Sequence, residues 1–194
     1  GEGRVARQIE RCASFLGVDL AEVPIRTCRR HFAGRPEFRF AVMEAEALAL
    51  PDSSFDVVAM IDASEHIHGI DAALAEAARV IRPGGLFVVT SQNKDSLHLI
   101  VNRKLGYPEF LTNNQHFREF NVAELTAAIG ALGFAVERRA GVVLYPYWEI
   151  PGVDEHMRKI TDDDAEFAEI MSVLGERAGP EYAYTFMLAA RKVA

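Results

Sequence analysis

Two short, unbroken apolar runs flanking an amphipathic segment leave a chain few folds, and residues 55–93 (FDVVAMIDASEHIHGIDAALAEAARVIRPGGLFVVTSQN) carry that pattern. Val57, Val58, Ala59, Met60 and Ile61 form a run too short for a helix, which suits a strand buried on both faces. Asp71 then opens a segment in which Ala73, Leu74, Ala77, Ala78 and Ile81 share one helical face. Arg79 and Arg82 are expected in its last turn, where cations favour the negative end of the helix dipole. Pro83-Gly84-Gly85 is expected to stop the helix, and Leu86 to Thr90 reads as a second buried strand. Strand, crossover helix and strand of this length predict a parallel, right-handed βαβ unit. Polar residues follow each strand: Asp62, Glu65 and His66 after the first, Ser91, Gln92 and Asn93 after the second. Open α/β sheets bind ligands outside the carboxyl ends of their strands, so the functional site is expected there.

Composition closes off other classes. The 194 residues suffice for one domain with a substantial core. Lys and Arg number 21 against 28 acids, a net charge of −7, so no general basic surface faces a nucleic acid. No stretch approaches the roughly 18 apolar residues of a membrane span. Cys12 and Cys28 have no metal-type spacing and read as reduced, buried thiols in helix-like segments, as in a cytoplasmic protein.

At the start, Gly1-Glu2-Gly3 leads into a helical pattern from Arg4 to Cys12. Glycines before a helix let a ligand approach the backbone, whereas GEG alone also suits a flexible tail. Ser14 to Asp19 reads as a strand ending in an acid sixteen positions after Gly3. That is the place of a ribose reader in nucleotide-binding α/β domains, with a plain helix cap as the alternative. Pro24 suits the first turn of a helix to about Phe32, and Phe38, Phe40 and Val42 alternate as a strand ending near Glu44. Further on, Asp95 to Leu105 reads as a helix and Tyr107 to Gln115 as a loop. Asn121 with Glu124 is a capping box for the next helix. Phe134 to Leu144 and Tyr182 to Arg191 read as late strands with no crossover helix before the last, which predicts an antiparallel edge hairpin. Between them lie an aromatic loop with Tyr145, Tyr147 and Trp148, and an acidic flap from Val153 to Gly179.

These residues resemble the class I S-adenosylmethionine-dependent methyltransferases, in the small-molecule branch whose post-strand motif is an acid-x-x-Glu-His. GEGR is similar to the second half of that family's first motif, SFLGVDLA to its second-strand motif and MEAEALALPDSSFDVV to its third. HFREFNVAELTAAIGALGF resembles the stretch leading into its late helix, so the likeness covers nearly the whole chain. The resemblance implies an α/β, Rossmann-like, doubly wound and mostly parallel sheet with an antiparallel C-terminal edge hairpin. It implies one methyltransferase domain over 1–194, with lid or substrate segments at about 95–118 and 145–180. The family's first strand and first glycine have no counterpart before Gly1, so the resemblance also implies upstream residues that supply them. S-adenosylmethionine is the implied cofactor, with Gly1, Gly3, Asp19, Leu20, Glu44, Ala45 and Asp62 as its contacts. Asp19 would bind the ribose hydroxyls, Glu44 the adenine amino group and the Ala45 N–H the ring.

The catalytic candidates are Glu65, His66 and His116, expected with Asp62 on one rim. Two carboxylates and two imidazoles form an oxygen and nitrogen set for a divalent cation such as Mg²⁺. Equally, His66 or His116 would serve as a metal-free general base, the reading preferred here. A third alternative has Glu65 and His66 only ordering a turn and His116 bonding a carbonyl. The leading expectation is methyl transfer to a hydroxyl of a small metabolite: a sugar, phenol, polyketide or lipid-linked glycan. N-methylation of an amino-sugar, metal-dependent RNA 2′-O-methylation and a catalytically silent binding module are the alternatives. The expected partners are a small-molecule acceptor and, as an open alternative, a second copy in a homodimer; a nucleic acid is not expected.

Overall fold

Four phenylalanines hold together the first of two compact units, Gly1–Pro51, in the computed structural model. The structure describes residues 1–107, 111, 115–144 and 164–193. In this unit α1 (Arg4–Arg7) is followed by β1 (Phe15–Asp19), α2 (Glu22–His31) and β2 (Phe38–Val42). β1 and β2 are parallel, paired from Phe15 with Phe38 to Asp19 with Val42. The Phe32 ring stacks on Phe38 at 4.8 Å and Phe15 stacks on Phe38 at 5.0 Å, over buried Ala6, Ile25 and Cys28. The Arg29 guanidinium donates twice to the Phe40 carbonyl, at 2.8 and 3.0 Å, and ties α2 to β2.

The first helix is shorter than its apolar spacing predicts: it stops at Arg7, and Cys12 lies outside it. The Arg35 guanidinium takes the carbonyls of Ile9 and Glu10 at 3.1 Å each, which a continuing helix would have bonded internally. Ile9 and Cys12 pack instead against the aromatic cluster. Both cysteines are free thiols; Cys28 is buried and Cys12 half-buried.

The second unit, Asp52–Ala194, contains the βαβ pattern. Its elements are β3 (Phe55–Met60), a 3₁₀ turn (Ser64–His66), α3 (Ile70–Val80), β4 (Ile81–Gln92), α4 (Leu97–Lys104), α5 (Val122–Ala131), β5 (Phe134–Val143), α6 (Ala165–Ala178) and β6 (Thr185–Lys192). The sheet order is β3-β4-β6-β5. β3 runs parallel to β4, while β6 runs antiparallel to both β4 and β5, so only β6 is reversed. The late antiparallel pair is therefore present, with β6 inside the sheet and β5 at the edge.

α3 buries Ile70, Ala73, Leu74, Ala77 and Ala78, the face its spacing predicts. It ends at Val80, before Pro83-Gly84-Gly85, because its last carbonyls are taken from outside. Ser53 and Ser54 amides donate to Arg79 and Val80, and Lys192 Nζ donates to Ala78 and Ile81. The chain then enters β4 directly at Ile81, and a register shift between Phe55 and Val57 absorbs Pro83 to Gly85. Arg82, expected in the helix, pairs with Asp56 of β3. The expected double burial of β3 does not hold: Val57 is 53% exposed, because among the described residues β3 pairs only with β4.

Ser91, Gln92 and Asn93 also differ from expectation. Ser91 and Gln92 belong to β4, and Ser91 and Asn93 are buried. The Asn93 amide reaches the carbonyls of Pro180, Glu181 and Ala183 at 3.0–3.1 Å, while its Oδ1 accepts from Asp95 N–H. These bonds latch the approach to β6 onto the end of β4, a structural use of a residue expected at a ligand site. α5 begins with the capping box its sequence predicts: Asn121 Oδ1 accepts from Glu124 N–H at 2.8 Å and Glu124 accepts in return. α6 lies against β5 at glycines. A Cβ at Gly141 would stand 2.1 Å from the Gly175 carbonyl oxygen, and one at Gly175 2.5 Å from Val143 N. The aromatic loop and the flap up to residue 163 lie outside the described residues. Among the described residues no helix is long and apolar enough to cross a membrane.

Candidate functional site

In the first unit the carboxyl ends of β1 and β2 bring together most of the expected cofactor residues. Asp19 closes β1; one carboxylate oxygen accepts from Ala21 N–H at 2.8 Å and the other faces the Gly1 amino group. Gly3 precedes α1 with φ of 77°, a conformation glycine adopts without strain. A side chain there would press on Cys28 Sγ at 3.0 Å and the Phe32 ring at 3.3 Å, so the turn sits directly on the aromatic core. The Asp19 carbonyl accepts from Met43 N–H, which holds the exit of β2 beside the end of β1. Glu44 follows with an exposed side chain, and Ala45 is half-buried. Leu20 is 67% exposed, an apolar side chain standing free at a strand end. A carboxylate beside a glycine turn, an apolar side chain and a second acid just past the next strand suit the diol, ring and amino group of an adenosine.

In the second unit the chain leaves β3 through Asp62, whose φ of 46° is left-handed, a region aspartate tolerates better than most residues. Its N–H donates to Thr90 Oγ1 at 2.8 Å, and the Thr90 hydroxyl donates to Asp62 Oδ1 at 3.2 Å. The turn that follows buries Glu65, which is 1% exposed. Ser64 Oγ lies 3.0 Å from both Glu65 Oε2 and the Thr90 carbonyl, and Glu65 Oε1 is buried with no hydrogen-bond partner among the described residues. Phe117 N–H donates to the Glu65 carbonyl at 2.8 Å, and His66 Nδ1 stands 3.3 Å from the Gln115 carbonyl. These contacts bring His116 to the turn, with its ring edge-on to His66 at 4.8 Å.

Glu65, His66 and His116 thus form one group, with one donor atom from each within 4.8 Å of the others. Asp62, expected in the same set, is not part of it; its carboxylate is engaged with Thr90. Sequence reasoning missed Glu119. Its Oε1 lies 2.6 Å from His116 Nδ1, and both side chains are buried. The signal was the spacing His116-x-x-Glu119, which lies outside any helix and so carries no periodicity. His68 is exposed, with its ring against Phe117. His98 is buried with Nδ1 3.0 Å from Ser96 Oγ, and His31 packs edge-on against Phe32.

One carboxylate and two imidazoles do not make the oxygen-rich octahedral set that Mg²⁺ takes. With Asp62 engaged elsewhere, the residues do not fit that ion, and no chemical step is assigned to it.

Residues 1–89 match the family described as "Methyltransferase domain". The chain is 35% identical over 143 residues to a Mycolicibacterium smegmatis protein named "Probable S-adenosylmethionine-dependent methyltransferase", across 73% of this chain and 52% of that one. The chain belongs to the class I S-adenosylmethionine-dependent methyltransferases. This methyltransferase chain is also 32% identical over 139 residues to the ubiquinone biosynthesis O-methyltransferase of Sinorhizobium fredii, across 69% of this chain and 56% of that one. It therefore spans about half the length of the curated relatives it matches. Among solved structures, the cyclase SpnF superposes with a TM-score of 0.65 at 22% identity, covering 98% of this chain and 69% of that one. That likeness shows the Rossmann-like methyltransferase fold, which does not by itself name a reaction.

Proposed function

We propose that the protein transfers a methyl group from S-adenosylmethionine to a hydroxyl of a small metabolite, with His116 as the general base. The observation that carries this reading is the buried His116, anchored through Nδ1 to Glu119 and grouped with Glu65 and His66 at the end of β3. The named activity of the Sinorhizobium relative supports oxygen over nitrogen as the acceptor atom. A net charge of −7 supports a small acceptor over RNA.

When bound, S-adenosylmethionine supplies an electrophilic sulfonium methyl. The chain must orient the acceptor and take its proton; orientation alone can contribute roughly 7–11 kcal/mol. His116 Nε2 accepts the hydroxyl proton, and Glu119 stabilises the imidazolium that results. Glu65, buried within 4.8 Å, adds a second negative group to that environment. His66 lines the exposed side of the group and orients the acceptor. Gly1, Gly3, Asp19, Leu20, Glu44 and Ala45 would hold the cofactor. The acceptor class is tested by turnover of S-adenosylmethionine against a panel of phenols, sugars and polyketide alcohols beside their amino analogues. Methylation confined to the amines would overturn the O-methyl reading.

Two results are expected from the cofactor side and the rim. Asp19→Ala should weaken S-adenosylmethionine binding by about 1.5–3 kcal/mol, the range for a hydrogen bond to a charged group, measured by calorimetry. Unchanged affinity would remove Asp19 from the site. Chelator should leave turnover unaltered, because the base needs no cation. Loss of turnover that Mn²⁺ or Mg²⁺ restores would replace proton abstraction with Lewis-acid activation of the acceptor oxygen.

A further inference from the structure

Glu119 lies at the start of the chain's approach to α5, in no motif by which the fold binds its cofactor. It is nevertheless among the few buried acids, at 4% exposed, beside His116 at 7%. Burying a carboxylate away from water is costly unless strong hydrogen bonds offset it. Glu119 Oε1 meets His116 Nδ1 at 2.6 Å, the short range of charge-assisted bonds. A carboxylate only accepts, so the nitrogen it faces must carry the proton. The backbone holds this arrangement from both sides: Phe117 N–H is bonded to the Glu65 carbonyl, and the Phe120 carbonyl accepts from Lys94 N–H. Arg118, between the pair, points elsewhere, over the Phe120 ring and to Asp71.

We propose that Glu119 is a positioning residue for the methyl-transfer reaction, fixing His116 in the Nδ1–H tautomer so that Nε2 presents a lone pair to the acceptor. This rests on His116 being the base. The proton path balances: the acceptor hydroxyl gives its proton to Nε2, the Nδ1 proton stays on the ring in its hydrogen bond to Glu119, and the imidazolium returns the Nε2 proton to water after transfer. Replacing the carboxylate by an amide removes the charge that stabilises the imidazolium and, because the amide can turn either its oxygen or its N–H to Nδ1, no longer holds the ring proton on Nδ1 alone.

The test reads the tautomer and the kinetics separately. Long-range ¹⁵N–¹H spectra of the whole chain, without acceptor, should show His116 protonated on Nδ1 in the unaltered protein, and a population protonated on Nε2 in Glu119→Gln. Glu119→Gln should lower kcat by about 10²–10⁴-fold, as misplaced-tautomer and lost-base effects do, with KM changed only a few-fold. Glu119→Asp, which keeps an acceptor, should retain the Nδ1–H tautomer and recover part of the rate. It also keeps the test decisive if the glutamine variant does not fold. A resting His116 protonated on Nε2, or a kcat unmoved by Glu119→Gln, would overturn the proposal. An intact rate in His116→Ala together with a tautomer flip in Glu119→Gln would sink the base itself and reduce the dyad to a structural pair.

Discussion

Replacing His116 by asparagine is expected to slow methyl transfer by about 10²–10⁴-fold, the usual loss when a positioned base is removed. Asparagine is the informative choice because its amide can still donate to Glu119, whereas alanine removes a hydrogen bond from a buried carboxylate at a cost of about 1–3 kcal/mol. His116→Ala should therefore lose both rate and stability, and His116→Asn mainly rate. The expected cofactor contacts at Asp19 and Glu44 are untouched, so calorimetric affinity for S-adenosylmethionine should stay within about two-fold. Single-turnover kinetics with saturating cofactor isolate the chemical step. A rate within a few-fold of the unaltered protein would mean that orientation alone drives the reaction. The double change His116→Asn with Glu119→Gln should be no slower than His116→Asn, since the two residues act as one unit.

The largest stability effect is expected at Gly141. A methyl group there would stand 2.1 Å from the Gly175 carbonyl oxygen and 2.8 Å from Ala183 Cβ, and neither neighbour is a flexible side-chain tip. The clash falls on the Gly175 backbone on one side and the Ala183 methyl on the other, so α6 must lift from β5 or β5 must bend. Leu144 N–H donates to the Met171 carbonyl, and that bond would go with the helix. Overpacking of this kind costs about 1–3 kcal/mol and more where backbone must move, so Gly141→Ala should lie at or above the top of that range by urea denaturation. Gly175→Ala attacks the same contact from the helix side, 2.5 Å from Val143 N. The two changes together should cost less than their sum, because the second finds the contact already broken. A midpoint for Gly141→Ala equal to that of the unaltered chain would show that α6 is not held at this glycine pair.

What the sequence revealed was whatever local chemistry decides. The apolar face of α3, the Asn121 capping box and the acid closing β1 are each written within a dozen residues. Long-range partners were invisible. Arg35 ends α1 by taking the carbonyls of Ile9 and Glu10 from 25 or so positions away. Lys192 satisfies the end of α3 from the last strand, so the glycines at 84 and 85 were not needed to stop it. At the site, the convergence of Glu65, His66 and His116 was legible from motif spacing. The diversion of Asp62 to Thr90 was not, since nothing near Asp62 in sequence advertises a hydroxyl on the neighbouring strand. Glu119 was missed because it meets His116 in an irregular stretch, where no period marks which side chains turn inward.

The position of β6 also constrains how the second unit can assemble. β5 pairs with β6 and not with β4, so when β5 emerges from the ribosome no described strand is yet available to receive it. It must wait for residues 185–192, and α6, packed on β5, waits with it. Half of this sheet therefore depends on contacts distant in sequence, such as Leu86 with Arg191, which form slowly because a long loop must close first. During synthesis the unit is a βαβ half with an open β4 edge and a loose tail, a template for pairing with other chains. A nascent chain stalled before residue 185 should be far more dependent on chaperones than one released after it.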